Sequence, residues 1–462
     1  MNKFLPCLLL TLLFGCNEQD KNALSVYFAG EIVNPRNDSV ILYKDEQKIC
    51  SAKLDSDNRF VIELDASAED GLYHFEHQPE RQYIYLEKGD SLMIRLNTAD
   101  FDESLVFTGK GEAINNFLIE TFLQHEKEDY KVYRMYSKNP QDFSQEIALL
   151  KDSKLNTLAT IKLDAQLSDK AYEIAKAWID YTSFLYKERY PVENRRAKNG
   201  KKYTEVSNDF VDYYNEIDYN NPDLTYVRPY YDFMKYHFTN LAYQSCVTEC
   251  GEKGRAYRNA IHFNRHKLKV IDSLAKEENL KNNLVKNVAS EYLLRTTDSK
   301  QNVAVIIDEF NKYSTNKNHR KEIESLYQNI NNIQPNNAIP NILIKNSQQE
   351  NVSLQTICKD NKVVFYFWMG DEKSHFKQIT KRVKKLKYKN PDYTFVGINL
   401  MTEANKWERL INNYHLNKDY QFRAENLEEI NNALLINGRL NKAVIVNNGL
   451  IVDAFADIYS SF

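Results

Sequence analysis

The sequence predicts a multidomain chain: an N-terminal β-sandwich over residues 23–110, a central all-α region over 111–335, and a C-terminal α/β domain over 340–462. Three observations predict it. Up to about residue 110, short stretches of strand formers alternate in polarity and are cut by turn residues. From Glu112 the apolar period lengthens from two to near 3.6. After Pro340, apolar runs of strand length alternate with amphipathic helical stretches, the pattern of an α/β domain. A length of 462 residues leaves room for several domains, and 42% hydrophobic with 27% charged residues is a globular composition. A net charge of −3 gives no basic footprint, so a nucleic-acid partner is not expected.

Met1 to Cys16 reads as a targeting segment: Lys3 is a short positive start and Phe4–Phe14 an apolar core too short to span a bilayer. Leu13-Phe-Gly-Cys16 resembles a bacterial lipobox. The resemblance implies a signal peptide over 1–15, a lipid on the Cys16 thiol, and a polar tether over 16–22 that holds the chain to the cell envelope, most simply at the outer membrane. A plain secretory signal with an incidental cysteine is the alternative. Of the six cysteines, Cys7 leaves with the leader and Cys16 takes the lipid, so Cys50, Cys246, Cys250 and Cys358 remain. Cys246 and Cys250 lie four apart before Gly251, where a fraying helix end lets them bridge and a regular helix keeps them apart.

The first strands are Leu24–Phe28, Ser39–Tyr43, Arg59–Leu64, Gln82–Leu86 and Ser91–Leu96, separated by turn signals such as Asp55-Ser-Asp-Asn58 and Lys88-Gly-Asp90. Their regular spacing predicts the sandwich. Tyr85-Leu-Glu-Lys-Gly-Asp90 and Phe107-Thr-Gly-Lys-Gly111, leading to Asn115-Asn-Phe-Leu118, resemble the N-terminal β-domain of unassigned function found in many envelope lipoproteins. In the middle, Ile114–His125, Phe143–Leu163, Lys170–Tyr186, Tyr230–Tyr243, Leu268–Leu274 and Val303–Phe310 carry apolar residues at helical spacing. The basic stretch 192–202 and Asn220–Leu224 read as loops. With 31 Tyr and 23 Phe the chain is aromatic-rich, and half-buried helix faces are the expected place for the tyrosines.

Pro340 closes the helical region. Asn341–Ile344 is a short strand, Val363–Trp368 a buried central strand, and Ser374–Leu386 a helix; Tyr393–Leu400 is a strand and Thr402, read as an N-cap, starts a helix to Tyr414. Asn426–Leu435 is a helix, and Lys442–Val446 with Leu450–Phe455 form a hairpin across Asn447-Asn-Gly449. This order, with Phe367-Trp368 ahead of a turn into a helix, resembles a thioredoxin-like domain of the envelope thiol–disulfide (TlpA/ResA-like) type. In that family a Cys-x-x-Cys pair sits at the helix N-terminus, where the thiolate is stabilised.

Counting without gaps from Phe367-Trp368 puts Glu372 at the first cysteine position and His375 at the second. Counting back from Gly449 puts Leu440 at the family's cis-proline. A non-proline cis bond costs about 2.5–4 kcal/mol, so a trans peptide is expected there. Two separate features of the redox site are therefore missing, and the sequence predicts a redox-inactive domain that binds a protein or peptide through the groove beside the helix. The competing reading is an envelope oxidoreductase working through Cys246, Cys250 or Cys358. Glu372 and His375 are also read as an acid–base or metal pair, against the plainer role of a polar turn on an inactive fold. No cofactor is expected and no metal set is read.

Overall fold

The computed structural model describes residues 25–199, 204–250, 260–295, 299–370 and 372–462, with the side chains of Cys250 and Arg295 left aside. The leader, Cys16 and the tether fall outside the described residues. The chain divides into two compact units, one up to Leu284 and one spanning Val285–Phe462.

The first unit opens with β1 (Val26–Val33), β2 (Ser39–Lys44), β3 (Gln47–Lys53), β4 (Arg59–Leu64), β5 (Gly71–His77), β6 (Glu80–Leu86) and β7 (Ser91–Asn97), then a single turn α1 (Phe101–Ser104) and β8 (Val106–Lys110). They form two four-stranded sheets, ordered β4-β1-β7-β8 and β3-β2-β5-β6. Inward residues of both contribute to one core, with Phe28, Ile62 and Leu92 from the first sheet and Leu42, Phe75 and Ile84 from the second. Along β4 and β7 burial alternates strictly, which is why period-two alternation was readable. β3 and β5 were absent from the sequence reading: β3 is mostly solvent-facing and β5 is buried on both faces, so neither alternates.

Six helices follow: α2 (Glu112–Met135), α3 (Pro140–Asp164), α4 (Asp169–Ala197), α5 (Arg228–Cys250), α6 (Ala260–Leu274) and α7 (Glu278–Arg295), the last crossing the unit boundary. Asn115 fastens α2 to the sheet, accepting from the Tyr85 amide at 2.7 Å and donating to the Tyr85 carbonyl at 2.8 Å. The predicted loop at 192–202 is corrected in part: α4 continues past Pro191 to Ala197. Buried Asn194 donates to the carbonyls of Tyr136 (2.6 Å) and Lys138 (2.9 Å), tertiary bonds that hold the helix beyond the hydrogen bond a proline cannot donate. Tyr186, Tyr190, Tyr213 and Tyr230 are buried helical-region tyrosines, further inside than half-buried faces.

The second unit contains α8 (Lys300–Tyr313), α9 (Lys317–Asn332), β9 (Leu343–Lys345), β10 (Asn351–Ser353), α10 (Leu354–Cys358), β11 (Lys362–Trp368), α11 (Lys373–Lys389), β12 (Thr394–Asn399), α12 (Ala404–Asn413), β13 (Gln421–Arg423), α13 (Leu427–Leu434), β14 (Lys442–Asn447) and β15 (Leu450–Asp457). One seven-stranded sheet runs β10-β9-β13-β12-β11-β14-β15. Central β11 pairs in parallel with β12 and antiparallel with β14. Its alternate residues enter two cores. Val363, Phe365 and Phe367 pack with Leu434 of α13 and, through Ile330, with α9. Val364, Tyr366 and Trp368 pack with Phe376, Ile379 and Leu386 of α11 and Trp407 of α12. Cover on both faces explains the uninterrupted apolar run.

Helices α7 and α9 had no counterpart in the sequence reading. The apolar residues of α7 lie on more than one face, and the stripe of α9 has few apolar residues in a strongly polar sequence, with Ile323 its one fully buried residue. The hairpin turns at Asn448 (φ 50°) and Gly449 (φ 77°), the left-handed pair a tight hairpin requires. Gly397 in β12 faces a close approach: a Cβ there would lie 2.7 Å from the Tyr366 hydroxyl and also meet the Gln421 side chain. Gly397→Ala is expected to cost about 1–3 kcal/mol by overpacking. Thermal unfolding checks it, and an unchanged midpoint would sink the close-packing account.

Candidate functional site

The site grows out of the turn between β11 and α11. Buried Asn399 and Thr402 staple this turn: Thr402 Oγ1 accepts from Gly370 N (2.7 Å) and from Asn399 Nδ2 (2.9 Å), while Thr402 N donates to Asn399 Oδ1 (3.2 Å). Thr402 is thus not the N-cap the sequence suggested. Glu403 precedes the first turn of α12 and accepts from Asn405 N. At the other helix, Glu372 is the N-cap residue of α11, with no side-chain capping bond, and its side chain is exposed. His375 lies in the first turn, half-buried.

Leu440 sits opposite, before β14. Among the described residues the cis peptide is Gln78–Pro79, so the bond into Leu440 is trans. His375 and Leu440 both line a cavity of about 1010 Å³ in this unit, and Glu372 does not. The structure therefore brings together two of the three positions the sequence singled out. The walls come from Leu293 of α7, Val303 of α8, Tyr327 and Ile330 of α9, and Phe455 of β15. The side of the domain expected to carry a groove therefore carries a partly open cavity bounded by helices and by the β14–β15 edge.

The charged lining is mainly basic: Lys300, Arg439 and Lys442 against Asp457. Lys442 is 6% exposed, its ammonium donating to the Leu435 carbonyl at 3.2 Å and lying 4.5 Å from the centre of the Phe455 ring. Burial, with some repulsion from Arg439, pushes its pKa down to about 7. Burial also lowers the His375 imidazole, with Glu372 and the Leu440 backbone partly offsetting it. Both His375 ring nitrogens are shielded from solvent, without a well-formed protein hydrogen bond. In the sequence Lys442 stands only as the first residue of a hairpin strand. Nothing in a strand beginning Lys-Ala-Val-Ile-Val signals that the lysine turns inward.

The thiols lie elsewhere. Cys358 ends α10, is buried, and its thiol is pushed up to about 12 by desolvation, the opposite of a reactive cysteine. Cys50, half-buried in β3, is raised for the same reason. Cys246 is buried in α5. Its proposed bridge to Cys250 lies outside the described residues.

One further polar cluster escaped the sequence reading. Glu188 of α4 meets His237 Nδ1 of α5, and Tyr219 Oη lies 2.7 Å from His237 Nε2. Asn240 Nδ2 donates to Glu188 Oε2 at 2.5 Å. Glu188 and His237 are 3% and 0% exposed and line none of the cavities described, so their role is to satisfy one another inside the helix pair.

No protein-family model and no curated protein matches this sequence. Solved structures similar to part of it include the thioredoxin domain of a thiol-disulfide oxidoreductase from Bacteroides vulgatus, at 17% identity over 26% of this chain and 86% of that one, TM-score 0.21. A thiol-disulfide oxidoreductase from Bacteroides fragilis matches at 18% identity over 25% of this chain and 88% of its own, TM-score 0.21. A thioredoxin-like protein from Bacteroides caccae matches at 10% identity over 43% and 75%, TM-score 0.29.

Proposed function

We propose that this chain is a lipid-anchored envelope protein whose C-terminal unit is thioredoxin-like in strand order but binds a ligand in place of exchanging disulfides. In this reading the two N-terminal sheets are a β-sandwich, and lipidated Cys16 holds the protein at the outer membrane. The observation that carries it is the cavity itself. His375 and Leu440, standing where the redox family has its second cysteine and its proline, line a space large enough for a ligand of several residues or a small molecule. Lys300, Arg439 and Lys442 set against the Asp457 carboxylate suit an occupant with an acidic group, such as a peptide with a free carboxylate. High-pKa Cys358 supports the absence of exchange.

The test has two arms. In an insulin-reduction assay with dithiothreitol, the full chain is expected to run at the uncatalysed rate. A faster rate that disappears in Cys358→Ser or in Cys246→Ser/Cys250→Ser would overturn the reading and establish the oxidoreductase alternative. In native mass spectrometry, acidic peptides with free C-termini are expected to be retained by the wild type and held more weakly by Leu440→Trp, whose indole intrudes into the cavity beside Lys442. Equal retention by both would place the ligand elsewhere.

A further inference from the structure

Far along the chain from that cavity, in the first unit, α5 and α6 bring three metal-ligating side chains together. His262 and His266 are four apart on α6 and so share one face of the helix. Their rings meet edge to face with centroids 4.7 Å apart. Cys246, one turn before the end of α5, is fully buried beside them. One ligand atom from each of the three lies within 4.8 Å of the others.

We propose that Cys246, His262 and His266 form a zinc site that clips the end of α5 to the start of α6. The donor set decides the metal class. One thiolate and two imidazoles are borderline-soft ligands that suit Zn²⁺, and they do not suit the oxygen-seeking Ca²⁺ or Mg²⁺. In a tetrahedral site with Zn–S of about 2.3 Å and Zn–N of about 2.0–2.1 Å, ligand atoms stand roughly 3.3–3.6 Å apart. The present spread needs to tighten by about 1 Å, within reach of side-chain rotation on two packed helices. His262 and His266 are half-buried, leaving a path for the ion to enter. Around the trio, Glu249 places Oε2 at 3.9 Å from His266 Nδ1, and Ser245 Oγ lies 3.4 Å from the same nitrogen. A carboxylate behind a ligating histidine is the usual outer partner that orients the ring. Lys269, 3.5 Å from Glu249 Oε2, anchors that carboxylate in turn. Binding releases the Cys246 thiol proton to solvent and forms one Zn–S and two Zn–N bonds; water completes the fourth position.

The experiment uses the full chain, stripped of metal with a chelator and kept reduced by a non-coordinating phosphine. Titrated with Co²⁺, it is expected to bind one equivalent, with tetrahedral visible bands and a thiolate-to-cobalt charge-transfer band, and Zn²⁺ is expected to displace the cobalt. Cys246→Ser is expected to abolish the charge-transfer band. His262→Gln and His266→Gln, at half-buried positions, are each expected to weaken Zn²⁺ binding at least tenfold, since loss of an outer partner alone costs 10–100-fold. Cys250→Ser is expected to leave both signals in place, which separates the site from a 246–250 disulfide. Failure to bind a stoichiometric ion, or an unchanged charge-transfer band in a folded Cys246→Ser chain, would overturn the proposal. If circular dichroism shows Cys246→Ser to be misfolded, the histidine variants decide: unchanged Zn²⁺ affinity in both sinks it.

Discussion

Trp368→Ala is expected to destabilise the unit spanning Val285–Phe462 by about 3–5 kcal/mol, the range for removing a buried aromatic. The indole is 0% exposed, stacks at 4.6 Å on Phe376, and packs among Tyr366, Ile379 and Trp407. It also donates from Nε1 to Gln421 Oε1 at 3.2 Å, and Gln421 Nε2 donates to the Tyr366 hydroxyl at 2.8 Å. Truncation therefore opens a cavity and strands the Gln421 oxygen, itself worth about 1–3 kcal/mol. Trp368→Phe keeps most of the volume and loses the donor, so a smaller loss of about 1–3 kcal/mol is expected from that stranded oxygen. Urea unfolding followed by far-ultraviolet circular dichroism measures both. A loss below about 1 kcal/mol for the alanine variant would mean that β11 is not the keystone of this unit.

Lys442→Met is expected to flatten the pH dependence of stability and to raise stability at low pH. The folded pKa of Lys442, about 7, lies below the value of about 10.4 for an unfolded lysine. Below pH 7 both states hold the proton, and the folded state bears the full cost of a buried charge. Between about pH 7 and about 10.4 the unfolded chain keeps a proton the folded chain has released, so stability rises with pH. Above that window the cost is gone. Relative to methionine the wild type should gain about 4–5 kcal/mol across the window, since each pKa unit is worth about 1.4 kcal/mol. Parallel stability profiles for the two proteins between pH 6 and 10 would show that the ammonium is solvated. An acidic occupant of the cavity should shift the same titration upward, because a nearby carboxylate favours the charged amine.

The turn at Val363–Phe376 was the most legible part of the chain. Its strand was readable because β11 is covered on both faces, and its helix because Phe376, Ile379, Val383 and Leu386 form a regular buried stripe. The hairpin at Asn447–Gly449 was legible for a local reason too: residues that tolerate positive φ are few. Where elements were missed, the periodicity was weak. Helix α7 is apolar on more than one face, α9 has a short stripe in a polar sequence, and β3 and β5 lack clean alternation. The pair His262 and His266 carried a readable signal in its spacing, but its cysteine lies on another helix.

By itself the sequence singled out Glu372, His375 and Leu440, read by resemblance as the positions of two cysteines and a proline. Those are statements about which atoms are present, and no folding is needed to make them. Only the tertiary structure decided their surroundings. Residues of α7, α8 and α9 line one space with residues of the C-terminal sheet, and Lys442 turns into it. Burial is set by contacts between residues distant in the chain, and it is burial that moves the Lys442 pKa down, shields the His375 nitrogens and pushes the Cys358 thiol pKa up.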